Sequence, residues 1–83
     1  MLKQLMHWKQ GKLDKLKKFW EIEQRDGSVR MKDLANELGE IVATTYLWRK
    51  YCIVNGIITE SVVDSGLYEI TDFGKSLIEM DNG

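Results

Sequence analysis

The order of predicted elements in residues 31–80 is the feature that most constrains the fold of this chain. Two short helical segments, residues 31–38 and 42–54, flank a turn at Gly39 and precede two β-rich runs and a last helical segment. Apolar spacing therefore changes from a helical period to strand-like runs and back again. This order predicts an α+β fold, mainly α, with a three-helix core, a two- or three-stranded β-ribbon and a C-terminal helix.

Apolar side chains at helical spacing define the helices. Leu13, Leu16 and Trp20 predict an amphipathic helix over residues 12–24, which Asp26-Gly27 ends. In the helix at residues 42–54, Tyr46, Leu47, Arg49 and Lys50 point away from the apolar side. That side carries Thr44, Trp48 and Tyr51, with Thr45 and Cys52 at its edge. One helix therefore combines a core face with an outward face.

The ribbon is predicted from turn residues and β-branched runs. Asn55-Gly56 ends the preceding helix, and the runs at residues 57–62 and 67–70 are joined by the turn at residues 63–66. Residues 28–30 predict a further short strand. Thr71 is the predicted N-cap of the last helix, which ends near Met80.

Length and cysteine content limit the organisation and the compartment. The chain has 83 residues and 43% apolar residues, which predicts one domain at residues 12–80, an N-terminal arm at 1–11 and a tail at 81–83. Its single cysteine, Cys52, cannot form an internal disulfide, which favours the reducing cytoplasm. The chain has no long apolar run, so we expect neither a signal peptide nor a membrane span.

Residues for catalysis are missing from the pattern. His7 is the only histidine and has no partner at a spacing that suits a metal or a proton relay, and the sequence has no Gly-rich phosphate loop. Periodicity places Cys52 on the inner side of its helix, where a small buried hydrophobe is the favoured role over a redox sensor. The prediction is a protein that is not an enzyme, with no cofactor, metal or small-molecule ligand.

Three motifs recur in the same order in one superfamily. They are Asp33-Leu34-Ala35-x-x-Leu38-Gly39, Asn55-Gly56-Ile57-Ile58 and Tyr68-x-Ile70-Thr71-x-x-Gly74-x-x-Leu77. Across residues 12–80 the chain resembles small winged helix-turn-helix transcription regulators of prokaryotes, archaea and archaeal viruses, of the MarR and ArsR kinds. The resemblance implies a winged-helix fold with a β-wing. It also implies that the protein binds double-stranded DNA sequence-specifically and reads the major groove with residues 42–54.

Duplex binding needs cations near phosphates and polar groups near base edges. Arg49 suits a phosphate or a guanine edge, and Lys50 suits a phosphate. Thr44, Thr45 and Tyr46 suit bases, thymine methyls or nearby phosphates. Arg30 and Lys32 suit the backbone beside the groove. The candidate DNA-contact residues are Arg49, Lys50, Tyr46, Thr44, Thr45, Arg30 and Lys32. The alternative for Arg49 and Lys50 is the solvated side of a packed helix.

Charge distribution leaves a second function open. Residues 1–20 carry six lysines and one acid, whereas residues 51–74 contain acids but no Lys or Arg. The acidic wing should avoid phosphate, and apolar Leu47 is unusual on a reading face. Both favour the alternative of a winged-helix protein–protein interaction module. Lys12, Lys15 and Lys18 on the first helix are either further DNA contacts or a solvated face.

The first residues carry a separate apolar stripe. A stripe that the small core leaves uncovered would suit a twin subunit, so we expect a homodimer. The residues assigned to dimerisation are Leu2, Leu5, Met6 and Trp8.

Overall fold

The structure is a computed structural model, and it describes residues 10–82. Within this range the fold is mainly helical with a small antiparallel sheet, which confirms the α+β prediction. No helix in the described range is long and apolar enough to cross a bilayer. The elements are α1 (Gln10–Asp26), α2 (Met31–Leu38), α3 (Val42–Val54), β1 (Ile58–Glu60), β2 (Tyr68–Ile70) and α4 (Asp72–Asn82).

Helix α1 forms one wall of the core. Leu16, Phe19 and Ile22 are almost fully buried on its inner side. The described part of the helix starts at Gln10 and includes Gly11, so the predicted boundary after residue 11 falls inside α1. A single glycine lowers helix stability only modestly, and the packed face that follows it outweighs that cost.

Helices α2 and α3 have the predicted bounds and pack against each other. Gly39 has a φ of 68°, the left-handed conformation that ends α2. Two residues later Ile41 leads into α3, whose Thr45, Trp48 and Cys52 are buried. The short turn therefore holds the outer side of α3 next to the start of α2.

The two strands form an antiparallel ribbon in which Ile58 pairs with Ile70 and Glu60 pairs with Tyr68. Both strands are shorter than predicted. The expected strand at residues 28–30 is a single bridge, in which Val29 and Tyr68 exchange backbone hydrogen bonds of 2.9 Å in each direction. Tyr68 thus links the ribbon to the chain that enters α2.

Helix α4 closes the core from the far side. The backbone N–H of Gly74 donates to Thr71 Oγ1 at 3.0 Å, which confirms Thr71 as the N-cap. The helix runs to Asn82, two residues past the predicted end near Met80, so residues 81 and 82 of the predicted tail are helical. Lys17 Nζ on α1 donates to Asp81 Oδ2 at 2.7 Å, which holds this last turn against α1.

Candidate nucleic-acid interface

A cleft of about 240 Å³ lies where the start of α2, the middle of α3 and the ribbon meet. We call it the basic cleft. It brings together four of the seven predicted DNA-contact residues, although they come from two separate parts of the chain. The residues that line the basic cleft are Arg30, Met31, Lys32, Tyr46, Arg49, Gly66 and Tyr68.

Arg30 and Lys32 lie at the N-terminal end of α2. Arg30 occupies the N-cap position in an extended conformation and makes no side-chain capping hydrogen bond. Both side chains are exposed. The first N–H groups of a helix have no intrahelical acceptor and carry a partial positive charge, which adds to the two cations. Asp33 in the same turn offsets part of this charge, and the two cations outnumber it.

Arg49 is partly covered by its own chain. Its Nη1 donates to the hydroxyl of Tyr68 at 3.0 Å, and its guanidinium carbon lies 4.6 Å from the ring centroid of Tyr46. Nε is buried, and no group in the described part of the chain accepts a hydrogen bond from it. The prediction of Arg49 as an outward-reaching contact therefore needs correction: the two tyrosines hold it in the wall of the basic cleft.

Cations beside the cleft lack carboxylate partners, whereas most basic residues of α1 have them. Among residues 10–82, no ion pair joins Arg30, Lys32, Arg49 or Lys50 to a carboxylate, and these four gather on one side of the molecule. A free cation keeps its full charge for an external anion.

The lysines of α1 are engaged within the molecule. Lys15 Nζ lies 2.9 Å from Glu40, and Lys18 Nζ lies 3.3 Å from Glu21. Lys12 Nζ lies 4.3 Å from the ring centroid of Tyr51. These contacts favour a packed and partly neutralised helix face over further DNA contacts.

Thr45 is not available to DNA. It is 0% exposed, and its hydroxyl donates to Glu40 Oε1 at 2.7 Å. This prediction was wrong, because Thr45 lies on the core side of α3 and is covered by the turn that precedes the helix. Thr44, one residue earlier, is exposed, as are Tyr46 and Lys50.

An apolar groove of about 340 Å³ runs beside the basic cleft along the outer side of α3. We call it the α3 groove. Leu47 is 72% exposed and Val54 is 76% exposed, which is unusual for aliphatic side chains. The residues that line the α3 groove are Tyr46, Leu47, Arg49, Lys50, Ile53, Val54 and Tyr68.

Sequence reasoning missed Tyr68. Tyr68 is the first residue of β2, and it lines both the basic cleft and the α3 groove. Its hydroxyl accepts a hydrogen bond from Arg49. The sequence placed Tyr68 in a β-rich run, and no local signal pointed to a partner 19 residues earlier in the chain. Ile53 and Val54 were also missed as surface residues.

Other predicted residues lie elsewhere. The assigned dimerisation residues, Leu2, Leu5, Met6 and Trp8, are outside the described residues, as is His7. Cys52 is fully buried, and burial raises the pKa of its thiol far above the ordinary value. Within residues 10–82 no three His, Cys, Asp or Glu side chains converge on a possible metal position.

Comparison with known proteins gives no match for this chain. No family model matches the sequence, and neither a curated protein nor a solved structure matches it.

Proposed function

We propose that this protein is a winged helix-turn-helix, sequence-specific double-stranded DNA-binding protein, and that it acts as a transcription regulator. The observation that carries the proposal is the gathering of Arg30, Lys32, Arg49 and Lys50 where α2 begins beside the outer side of α3. Within residues 10–82 none of these four cations pairs with a carboxylate. In most helix-turn-helix proteins the second of two such helices lies in the major groove.

Each side chain has a distinct task in this proposal. Arg30 and Lys32 bind backbone phosphates together with the free N–H groups of α2. Lys50 binds a phosphate or a guanine edge, and Thr44 and Tyr46 contact bases from the exposed side of α3. Arg49, held by Tyr68, supplies positive potential at the wall of the basic cleft rather than an extended contact. The activity is binding without catalysis.

In this proposal the acidic ribbon points away from the duplex. Glu60 and Asp64 are exposed, and residues 51–74 include no Lys or Arg. Carboxylates close to phosphates would oppose binding. The free thiol of Cys52 supports a reducing compartment, and we place the activity in the cytoplasm.

Salt dependence of duplex binding tests the proposal. Each neutralised phosphate contributes about −0.9 to the slope of log K against log salt, so the three contacts of Arg30, Lys32 and Lys50 give a slope of about −2.7. Lys32→Glu combined with Lys50→Glu should abolish binding to random-sequence duplexes at low salt. Lys75→Glu, a single charge reversal on α4 outside the basic cleft and the α3 groove, should weaken it only slightly. Circular dichroism should show that every variant is folded.

A specific observation favours one second candidate. Exposed Leu47, Ile53 and Val54 fit a protein partner better than they fit a base edge, so the alternative is a protein–protein interaction module. If the wild-type protein does not bind duplexes at low salt, the DNA proposal fails. If the paired reversal binds as the wild type does, the assigned residues are wrong.

A further inference from the structure

Two surfaces of this chain expose aliphatic side chains and carry opposite charges. The first is the α3 groove, in which Lys50 stands among aliphatic side chains. The second is the turn at residues 60–64, which we call the wing tip. Val62 is 101% exposed and Val63 is 89% exposed, and Glu60 and Asp64 flank them. The described lining of the groove carries cations and no acid, whereas the wing tip carries two acids and no cation.

We propose that the wing tip of a second copy of this chain occupies the α3 groove, and that the exchange is reciprocal. Val62 and Val63 of one copy pack on Leu47, Ile53 and Val54 of the other. Asp64 then lies beside the unpaired ammonium group of Lys50. Both contacts bury side chains that a single chain leaves in water.

The wing tip does not fill the groove of its own chain. Both valines are almost completely exposed in the single chain, so neither packs on α3. Tyr68 of β2 nevertheless forms part of the groove, which places the ribbon and the groove on the same side of the molecule. A two-fold axis on that side brings each tip to the other groove at once, and such an interface closes at a dimer.

Charge selects this occupant over a generic apolar partner. Among residues 10–82, Lys50 and Asp64 have no ion pair, and the lining of the groove contains no acid. Glu60 is less free, because its Oε2 accepts a hydrogen bond from the backbone N–H of Gly66 at 3.0 Å. Lys50 and Asp64 are therefore the two residues whose charges the experiment reverses.

This inference does not rest on DNA binding, although the exchange covers Lys50 and Leu47 and so excludes a duplex from the same face. Its test uses the full chain without DNA. Sedimentation equilibrium should show a monomer and a dimer in exchange at concentrations up to about 1 mM, the weak range expected of a small interface.

Apolar variants test the packing. Val62→Ser with Val63→Ser should raise the dimer Kd at least about tenfold, because both buried side chains are lost. Met80→Ser removes an exposed apolar side chain from α4, outside both surfaces, and should leave Kd unchanged. All these positions are exposed, so the fold should persist by circular dichroism.

Charge reversal tests the pairing. Lys50→Glu and Asp64→Lys should each weaken the dimer about tenfold, and the double variant should return to within about threefold of the wild type. A chain that stays monomeric throughout overturns the proposal. So does a dimer insensitive to all four positions, as association through residues 1–9 would give, or growth beyond a dimer.

Discussion

Two neighbouring residues of α3 differ completely in exposure to solvent. Thr44 is exposed and Thr45 is fully buried, although both were candidates for DNA contact. Thr45 instead joins Glu40 and Lys15 in a small network: its hydroxyl lies 2.7 Å from Glu40 Oε1, and Lys15 Nζ lies 2.9 Å from the same atom. The network ties α1 to the turn before α3.

The pKa of Glu40 reflects this network. Burial acts to raise the pKa, but the hydrogen bonds from Thr45 and Lys15 and the charge of Lys15 outweigh it, so the pKa lies below the ordinary 4.5. A carboxyl whose folded-state pKa is lowered stabilises the fold above its unfolded-state pKa. That contribution is lost as the pH falls through the folded-state value.

Glu40→Gln should therefore lower the free energy of unfolding at pH 7 by about 1 kcal/mol, the typical net value of one hydrogen bond. The difference from the wild type should shrink as the pH falls below 4.5. Urea denaturation at pH 7 and at about pH 3 measures it. Glu79→Gln, an exposed change on α4, is the control. A difference that stays constant with pH would contradict the assigned ionic role.

At the scale of elements, the ribbon and α4 are joined by a close approach of backbone to backbone. Gly74 lies in the first turn of α4, against the chain that enters β1. A Cβ at Gly74 would overlap the carbonyl oxygen of Ile57 and would lie 2.7 Å from Ile70 Cγ1. The glycine is needed here for space, since its φ is not in the left-handed region. It allows α4 to close over the sheet.

Gly74→Ala should destabilise the protein by about 1–3 kcal/mol, the range for overpacking in a well-packed core. Gly11→Ala is the matched control, because it adds the same methyl group to α1 at a point where no atom of residues 10–82, apart from the adjoining backbone of α1, lies within 4 Å. Alanine is the better helix former, so the control should leave stability unchanged or raise it by up to about 1 kcal/mol. The urea midpoints give both values. Equal effects of the two substitutions would show that α4 does not depend on the contact.

For the whole molecule, one apolar cluster connects all the elements. It contains residues of the helices, of both strands and of the bridge at Val29. Phe19 and Trp48 belong to it, with ring centroids 5.9 Å apart, and Cys52, also in the cluster, is fully buried. A single small core of this kind predicts all-or-none unfolding.

Cys52 makes that cooperativity measurable. Its thiol is buried and its pKa is raised, so alkylation requires unfolding. Iodoacetamide should label Cys52 at least about 1,000-fold more slowly in native buffer than in concentrated urea, given the stability of ordinary small domains. The labelling rate should rise with urea along the circular dichroism transition. Rapid native labelling would show that this part of the core opens locally.

The sequence alone determined the elements whose signals are local. The bounds of α2 and α3, the stop at Gly39 and the N-cap at Thr71 were all predicted, because they depend on residues within one helical turn of each other. The same reasoning placed Trp48 in the core. Short-range steric and hydrogen-bonding preferences are sufficient for these features.

The tertiary structure decided what each outward residue can contact. Whether Thr45 faces water depends on Glu40 and α1, and whether Arg49 extends depends on Tyr68, which is 19 residues later in the chain. The basic cleft exists only because Val29 and Tyr68 pair and bring the start of α2 to the ribbon. Such contacts join distant segments, and the period of one helix carries no information about which segment covers it.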